Sequence, residues 1–310
     1  MGVPRVAIGV GFTNTPKEYR LAIRARSQRD LDRLQNDARF KEIVKDLSED
    51  ERDFRVIGDV GFPSILASSP PALGAPAITS HLRSGVSVGH PLGDPGTLGF
   101  FAVLNGKRGF VSCNHVIANV DQAKLGDEIL QPAKTDGGTT PGLGRLAKIP
   151  KLKSGGKKTA DCAFAAFENQ AQAVENQLGT DGPLNPNPVI PHQFLDVIKV
   201  GRKTHRTTGE VRTAEIDDFP ATYFGKSVLF DNVIEIFSKE MNTTTGMFEP
   251  FCDGGDSGAL VYTTSLQPVG LLFRKTNIGG HNNEGIAYAN PIGDVLTTLG
   301  TPQHPAQILV

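Results

Sequence analysis

The chain of 310 residues has no tryptophan, only three cysteines and almost no net charge, with 32 Lys+Arg against 33 Asp+Glu. Three cysteines, Cys113, Cys162 and Cys252, cannot staple a chain of this length, and none lies in a CxxC pair or a His-rich cluster, so neither a disulfide framework nor a structural zinc site is expected. No apolar run approaches the roughly 18 residues that span a bilayer, so no membrane partner is expected. The balanced charge carries no basic stripe, which argues against nucleic acid. The N-terminus has no convincing secretory cleavage site and fails the myristoylation pattern at Val6, so a cytoplasmic, reducing environment is expected.

What the chain does have is 35 glycines and 21 prolines, the mark of many tight turns. Charge is uneven: 21 of the 39 residues from Lys17 to Arg55 are charged. Within that stretch Tyr19 to Arg26 alternates apolar and basic residues as a half-buried strand does. Asp30 to Leu47 spaces its apolar residues helically, and Phe54, Val56 and Ile57 resume a strand. Residues 1–60 thus read as a small charged α+β module that docks on the rest, and a regulatory partner acting through it is conceivable. Residues 61–83, rich in Pro, Ala and Ser, read as a linker.

From residue 84 onward, short apolar runs are cut by Gly, Pro, Asn and Asp. They include TLGFFAVL, RGFVSC, CAFAAF, LDVIKV, SVLFDNVIEIF, QPVGLLF and GIAYA. Such spacing predicts an all-β barrel or sandwich architecture, divided by the proline-rich stretch at 182–191 into barrels of about 84–180 and 190–310. PIGDVLTTLG (291–300) predicts a short C-terminal helix stopped by Gly300.

The sharpest chemical signal is CDGGDSGALVY (252–262). A serine between glycines, after an acidic residue and before an apolar strand, suits a tight turn that exposes the hydroxyl. The N–H groups of Gly255 and Ser257 would then face one point. Serine needs a base. Of seven histidines (His81, His90, His115, His192, His205, His281 and His304), His115 stands out, directly after the strand FVSC. The base in turn needs a carboxylate to fix its ring. Asp161, opening the apolar CAFAAF, suits that better than Asp121, Asp127 or Asp136 in polar loops.

The order His115, Asp161, Ser257 and the contexts SCNHVIA, DCAFAAF and GGDSGAL resemble trypsin-like (chymotrypsin-fold) serine proteases, over roughly Gly85 to Leu299. The segments SVGHP, GTLGFF, GDEILQP, VGRKTHRTTGEV and GIAYANPIGDVL resemble a bacterial branch with an N-terminal extension. The resemblance implies an all-β fold of two antiparallel β-barrels, here with the N-terminal α+β appendage and the C-terminal helix. It implies His115 as general base, Asp161 as its orienting acid, Ser257 as nucleophile and the N–H groups of Gly255 and Ser257 as the oxyanion hole. The expected activity is endopeptidase chemistry on a protein or peptide substrate through an acyl-enzyme, with no metal or cofactor. The alternative is a protease-fold binding module with a closed cleft.

The sequence departs from the family pattern in several places. Val116 stands where a cysteine usually follows the histidine, and no acidic residue marks the pocket base, Asp253 being the nearest. Phe251, Phe273, Arg274 and Lys275 fall where the substrate pocket is walled. The two cations imply either a preference for acidic side chains, helped by His281, or side chains that point to solvent or partly occlude the cleft. Asp256, the acid that in trypsin pairs with a new N-terminus, has no evident partner, and RSGVSVG (83–89) only loosely imitates an activation site, so the uncleaved chain is expected to be the stable species.

Overall fold

The computed structural model describes residues 6–13, 15, 18–60, 82–152, 157–158, 160–175, 177–192 and 194–309. The expected linker, apart from Leu82 and Arg83, and His81 lie outside them. The N-terminal segment forms β1 (Val6–Phe12), β2 (Tyr19–Ala25), helices α1 (Gln28–Asn36) and α2 (Ala38–Val44), and β3 (Arg52–Val56). Ser27 and Asp37 cap the two helices by accepting from backbone N–H groups of their first turns, which is why helix begins at each. Leu31, Leu34 and Phe40 then close over Ile23, Ala25, Phe54 and Val56 on one face of the strands.

A six-stranded antiparallel sheet follows, built from β4 (Phe100–Leu104), β5 (Lys107–Ser112), β6 (Glu128–Ile129), β7 (Gly144–Lys148) and β8 (Ala163–Phe167), with the C-terminal Gln307–Ile308 strand added beside β4. Between β5 and β6 lies the single-turn helix α3 (Asn114–Ile117). The second half supplies β9 (Asp196–Gly201), β10 (His205–Asp217), the hairpin β11 (Phe219–Tyr223) and β12 (Lys226–Phe230), β13 (Val233–Ser238), β14 (Leu260–Thr263), β15 (Pro268–Lys275) and β16 (Ala287–Pro291). Strands β9, β14, β15, β16, β13 and β10 hydrogen-bond in that order, and β10 pairs back to β9, which closes a six-stranded barrel. Val197, Val211, Ile234, Ile236, Val261, Val269 and Leu272 fill its interior. The expected terminal helix is α4 (Ile292–Leu299), and Gly300 N–H caps it through Leu296 O.

The N-terminal segment is more than a docked module. Strand β1 pairs antiparallel with β10, so β1, β2 and β3 lengthen the second barrel's sheet to nine strands. Gly9 permits this contact, because a Cβ there would come within 2.8 Å of Ile216 Cγ1. Both faces of β13 are consequently covered. Ile234 and Ile236 pack in the second barrel's cluster while Val233 and Phe237 belong to the main core cluster on the other face, and all six residues are buried.

Glu235, 0 % exposed on that covered strand, takes its counter-charge from β2. Arg24 Nε and Nη2 donate to its two carboxylate oxygens at 2.6 and 2.8 Å, and Thr213 and Tyr288 hydroxyls add bonds of 2.9 and 3.0 Å. Arg24 also donates to Asp53 Oδ2 and Asp53 O, both at 2.7 Å. No helix among the described residues is long and apolar enough to cross a membrane.

Candidate active site

Two short strand-end segments bring the acid–base pair together. His115 lies in α3, two residues past the buried Cys113 that ends the run from β5, and Asp161 lies two residues before β8, the neighbour of β5. Asp161 is 0 % exposed, so its carboxylate must be satisfied by protein groups. It is: Oδ1 accepts the His115 backbone N–H at 3.2 Å, and Oδ2 lies 2.6 Å from His115 Nδ1 and accepts the Tyr223 hydroxyl at 2.5 Å. Asp161 N–H is held by Asn290 Oδ1 at 2.9 Å. Burial alone would raise this carboxyl. The charge and hydrogen bond of His115, the nearby Arg274 guanidinium and the Tyr223 hydroxyl outweigh it and hold Asp161 below its usual range. An ionised Asp161 keeps the imidazole proton on Nδ1 and leaves Nε2 as the basic nitrogen.

The other acids near His115 in sequence are occupied elsewhere. Asp121 bonds Asn114 and Leu152 N, Asp127 faces His90 at 3.3 Å, and Asp136 chelates Arg202.

Ser257 sits in the loop before β14, 3 % exposed. Its carbonyl accepts Thr97 N–H at 2.8 Å, and Gly258 N–H donates to Leu272 O at 2.8 Å. Gly258 has φ +93° and presses on Ser112 and Cys113, leaving no room for a Cβ. The Ser257 loop is thereby fixed against the backbone that leads into His115. Ser257 makes no hydrogen bond to His115 among the described residues; bonds of this kind tighten in the Michaelis complex.

Gly255, φ +108°, has its carbonyl held by the Thr97 hydroxyl at 2.9 Å, and that hydroxyl accepts Arg202 N–H at 3.0 Å. The Arg202 guanidinium lies against Gly255 and forks onto Asp136. First-barrel residues Thr97 and Asp136 thus latch the loop that presents the two candidate oxyanion donors.

Asp256, apparently partnerless in the sequence, is fully buried and fully satisfied. It accepts Lys203 N at 2.7 Å, Thr204 N at 3.1 Å, Thr204 Oγ1 at 2.6 Å and Asp253 N at 2.9 Å, and Lys199 Nζ lies 3.4 Å away. Burial pushes its carboxyl up, but the Lys199 ammonium and these donors win, and it is held below its usual value. Lys199 is thus the buried counter-charge of Asp256. A single lysine in the apolar strand LDVIKV, just before the turn GRKTH, was the available signal.

The four pocket candidates do not converge. Phe251 packs inside the second barrel with the Lys199 ammonium 5.9 Å from its ring centre. Phe273 packs tilted against Phe230 and edge-on against Phe219, with ring centres 4.9 and 6.1 Å away. Lys275 reaches Asp253 at 3.4 Å. Arg274 faces inward rather than to solvent, only 5 % exposed, with its guanidinium carbon 3.8 Å from the Tyr223 ring centre and Nη2 bonded to Thr222 O at 3.3 Å. The Tyr223 ring, that carbonyl and the Asp161 charge surround it, while its Nε is buried without a hydrogen-bond partner among the described residues. Tyr223 itself was not legible in the sequence, since it comes from a hairpin more than sixty residues from Asp161.

Among the described residues, one group has metal-ligand chemistry: Cys113, His115 and Asp161, with donor atoms within 4.8 Å. Its donors are already engaged. His115 Nδ1 and Asp161 are bonded to each other, Cys113 Sγ donates to Leu272 O at 3.2 Å, and burial, then Asp161, pushes the Cys113 thiol well up.

No protein-family model and no curated protein matches the sequence. Solved structures do match in fold. Thermobifida fusca protease A superposes with a TM-score of 0.50 at 15 % identity, covering 74 % of this chain and 99 % of that one. Nocardiopsis protease (TM-score 0.49) and Cellulomonas bogoriensis chymotrypsin (TM-score 0.48) also align at 15 % identity over 74 % of this chain, covering 100 % and 98 % of theirs. The chain has the fold of the bacterial chymotrypsin-like serine proteases.

Proposed function

We propose that the protein is a serine endopeptidase working through His115, Asp161 and Ser257. The observation that carries this reading is the buried Asp161 carboxylate bonded at 2.6 Å to His115 Nδ1, in the fold whose GDSG loop carries Ser257. His115 Nε2 takes the Ser257 hydroxyl proton as Oγ attacks the substrate carbonyl. The Gly255 and Ser257 N–H groups receive the oxyanion. Collapse of the tetrahedral adduct breaks the C–N bond, and the proton passes from His115 to the leaving amine. Water, deprotonated by the same imidazole, then hydrolyses the acyl ester and restores Ser257.

The Lys199–Asp256 pair supports an active loop without cleavage of the chain, since the buried acid already has its counter-charge. Three buried, unpaired cysteines fit a reducing compartment. The 3 % exposure of Ser257 favours a second reading, a binding module whose cleft stays closed. A fluorophosphonate probe separates the two. Labelling of the wild type that is lost in Ser257→Ala and His115→Ala supports the peptidase, and absence of labelling in the wild type supports the module.

A further inference from the structure

Arg274 does not point where strand alternation would send it. Along β15, Leu271 and Phe273 belong to the main core cluster and Leu272 to the interior of the second barrel. A regular strand would turn Arg274 into that interior with Leu272. The pairing with β16 slips instead: Leu272 faces Ala289 and Arg274 faces Tyr288, two steps on β15 against one on β16. Phe273 is thus the extra residue of a β-bulge, a feature that re-aims side chains. The bulge puts Arg274 on the side of Phe273, Tyr288 and Tyr223. There its guanidinium carbon lies 3.8 Å from the Tyr223 ring centre and Nη2 bonds Thr222 O at 3.3 Å, so one side chain grips the last two residues of β11. The Tyr223 hydroxyl is the one that donates to Asp161.

A buried carboxylate needs a lasting counter-charge. At Asp161, burial is opposed by the His115 charge and hydrogen bond, then by the Arg274 charge and the Tyr223 hydroxyl. The His115 charge exists only after the imidazole has taken a proton, and a general base starts neutral. The guanidinium of Arg274 stays charged throughout. We infer that Arg274 is a positioning residue of the acid–base pair, whose plane steadies the Tyr223 ring behind its bond to Asp161 and whose charge sets how far the medium can be acidified before the pair stops working. The inference rests on the peptidase reading and adds to it the residue that fixes its acid limit.

The other ionisable groups around this cluster are engaged elsewhere. Cys113, just before α3, and Cys162, just before β8, are thiols that burial lifts well above the usual value, and Lys148 on β7 bears on Cys162. Tyr288 on β16 gives its hydroxyl to Glu235 on β13, and Glu235 has Arg24. Lys275, the next residue of β15, reaches Asp253. Burial lifts the Tyr223 phenol as well, which keeps its hydroxyl a donor. Arg274 is 5 % exposed, so little water screens its charge from Asp161.

The test follows the rate of fluorophosphonate labelling of Ser257 between about pH 5 and about pH 9 in the full chain, with thermal unfolding as the check of fold. A cation beside a protonation site opposes protonation, so without it the pair takes up its proton sooner on acidification. Arg274→Gln should therefore raise the acid midpoint by about half a pH unit or more. Arg274→Lys keeps the charge and loses the plane. Its midpoint should stay within about 0.2 pH units of wild type while the plateau rate falls roughly 3- to 10-fold. In a Tyr223→Phe background the lysine variant should cost no further rate, because the hydroxyl being steadied is gone. An unmoved midpoint in Arg274→Gln, or one in Arg274→Lys raised by about half a pH unit, overturns this inference and leaves the peptidase reading standing. The lysine arm decides alone if the glutamine variant does not fold. Absence of labelling in the wild type overturns the two together.

Discussion

Replacing Arg24 by methionine removes the guanidinium from Glu235 and leaves a carboxylate at 0 % exposure with only the Thr213 and Tyr288 hydroxyls as donors. Breaking a buried pair from one side costs about 3–5 kcal/mol, because the remaining charge stays desolvated. The unfolding entropy is about 2.1 cal/mol/K per residue, so for 310 residues the melting temperature should fall by roughly 5–8 °C at neutral pH. The loss should also depend on pH. Burial raises the Glu235 carboxyl, but the Arg24 charge and hydrogen bond outweigh it, so in the wild type the group lies below its usual value. A lowered carboxyl stabilises the fold above the unfolded value and loses that contribution as pH falls through the folded one. In the variant burial acts with only the two hydroxyls and the more distant Arg55 charge against it, so the carboxyl rises, and protonation relieves it as pH drops. The gap between wild type and variant should therefore narrow from pH 7 to pH 5 in denaturant titrations. The double variant Arg24→Met, Glu235→Leu should recover most of the loss. A single-variant cost below about 1 kcal/mol, unchanged between pH 7 and 5, would refute the account of this pair as the tie between the N-terminal strands and the barrel.

Lys199→Met should strand Asp256 in the same way and loosen the oxyanion loop. We expect kcat toward a peptide coumarin amide to fall about 100-fold or more, measured at saturating substrate. Tyr223→Phe deletes one of three donors to Asp161; kcat should drop roughly 10- to 100-fold with KM little changed, and its acid limb should shift to higher pH because Asp161 loses a bond that favours its anion. The three thiols should resist Ellman's reagent in the native protein and react once it is unfolded, since burial, and next the Asp256 charge, lifts Cys252 to about 12 and burial lifts Cys113 and Cys162 well above the usual value.

The fold was legible because short apolar runs between Gly, Pro, Asn and Asp leave little besides antiparallel strands, and the pairing of His115 with Asp161 was legible because each opens or closes such a run. Partners from distant elements were not. Tyr223, Thr97 and Lys199 look like ordinary strand residues until the barrels pack, and the Arg274 side chain, written in the sequence as a pocket or surface cation, turns inward only because the Tyr223 ring lies there to receive it. The alternation in Tyr19 to Arg26 signalled a strand but not its neighbour, so the sequence hid the extension of the second barrel. Register between strands two hundred residues apart is set by backbone geometry and close approaches such as Gly9 on Ile216, for which the local pattern carries no mark.

The two ends of the chain are exchanged between the barrels. Strand β1, near the start, is stitched to β10 of the second barrel, while Gln307 and Ile308 pair with Val103 and Ala102 of the first. Each half of the protein is thus completed by a strand from the far end of the polypeptide, with Arg24 meeting Glu235 across 211 positions. During synthesis β1 waits about two hundred residues for its partner β10, and the first barrel's sheet waits for Gln307 and Ile308. Pairings of such sequence separation interlock the two halves, so they are expected to form in one late cooperative step rather than barrel by barrel.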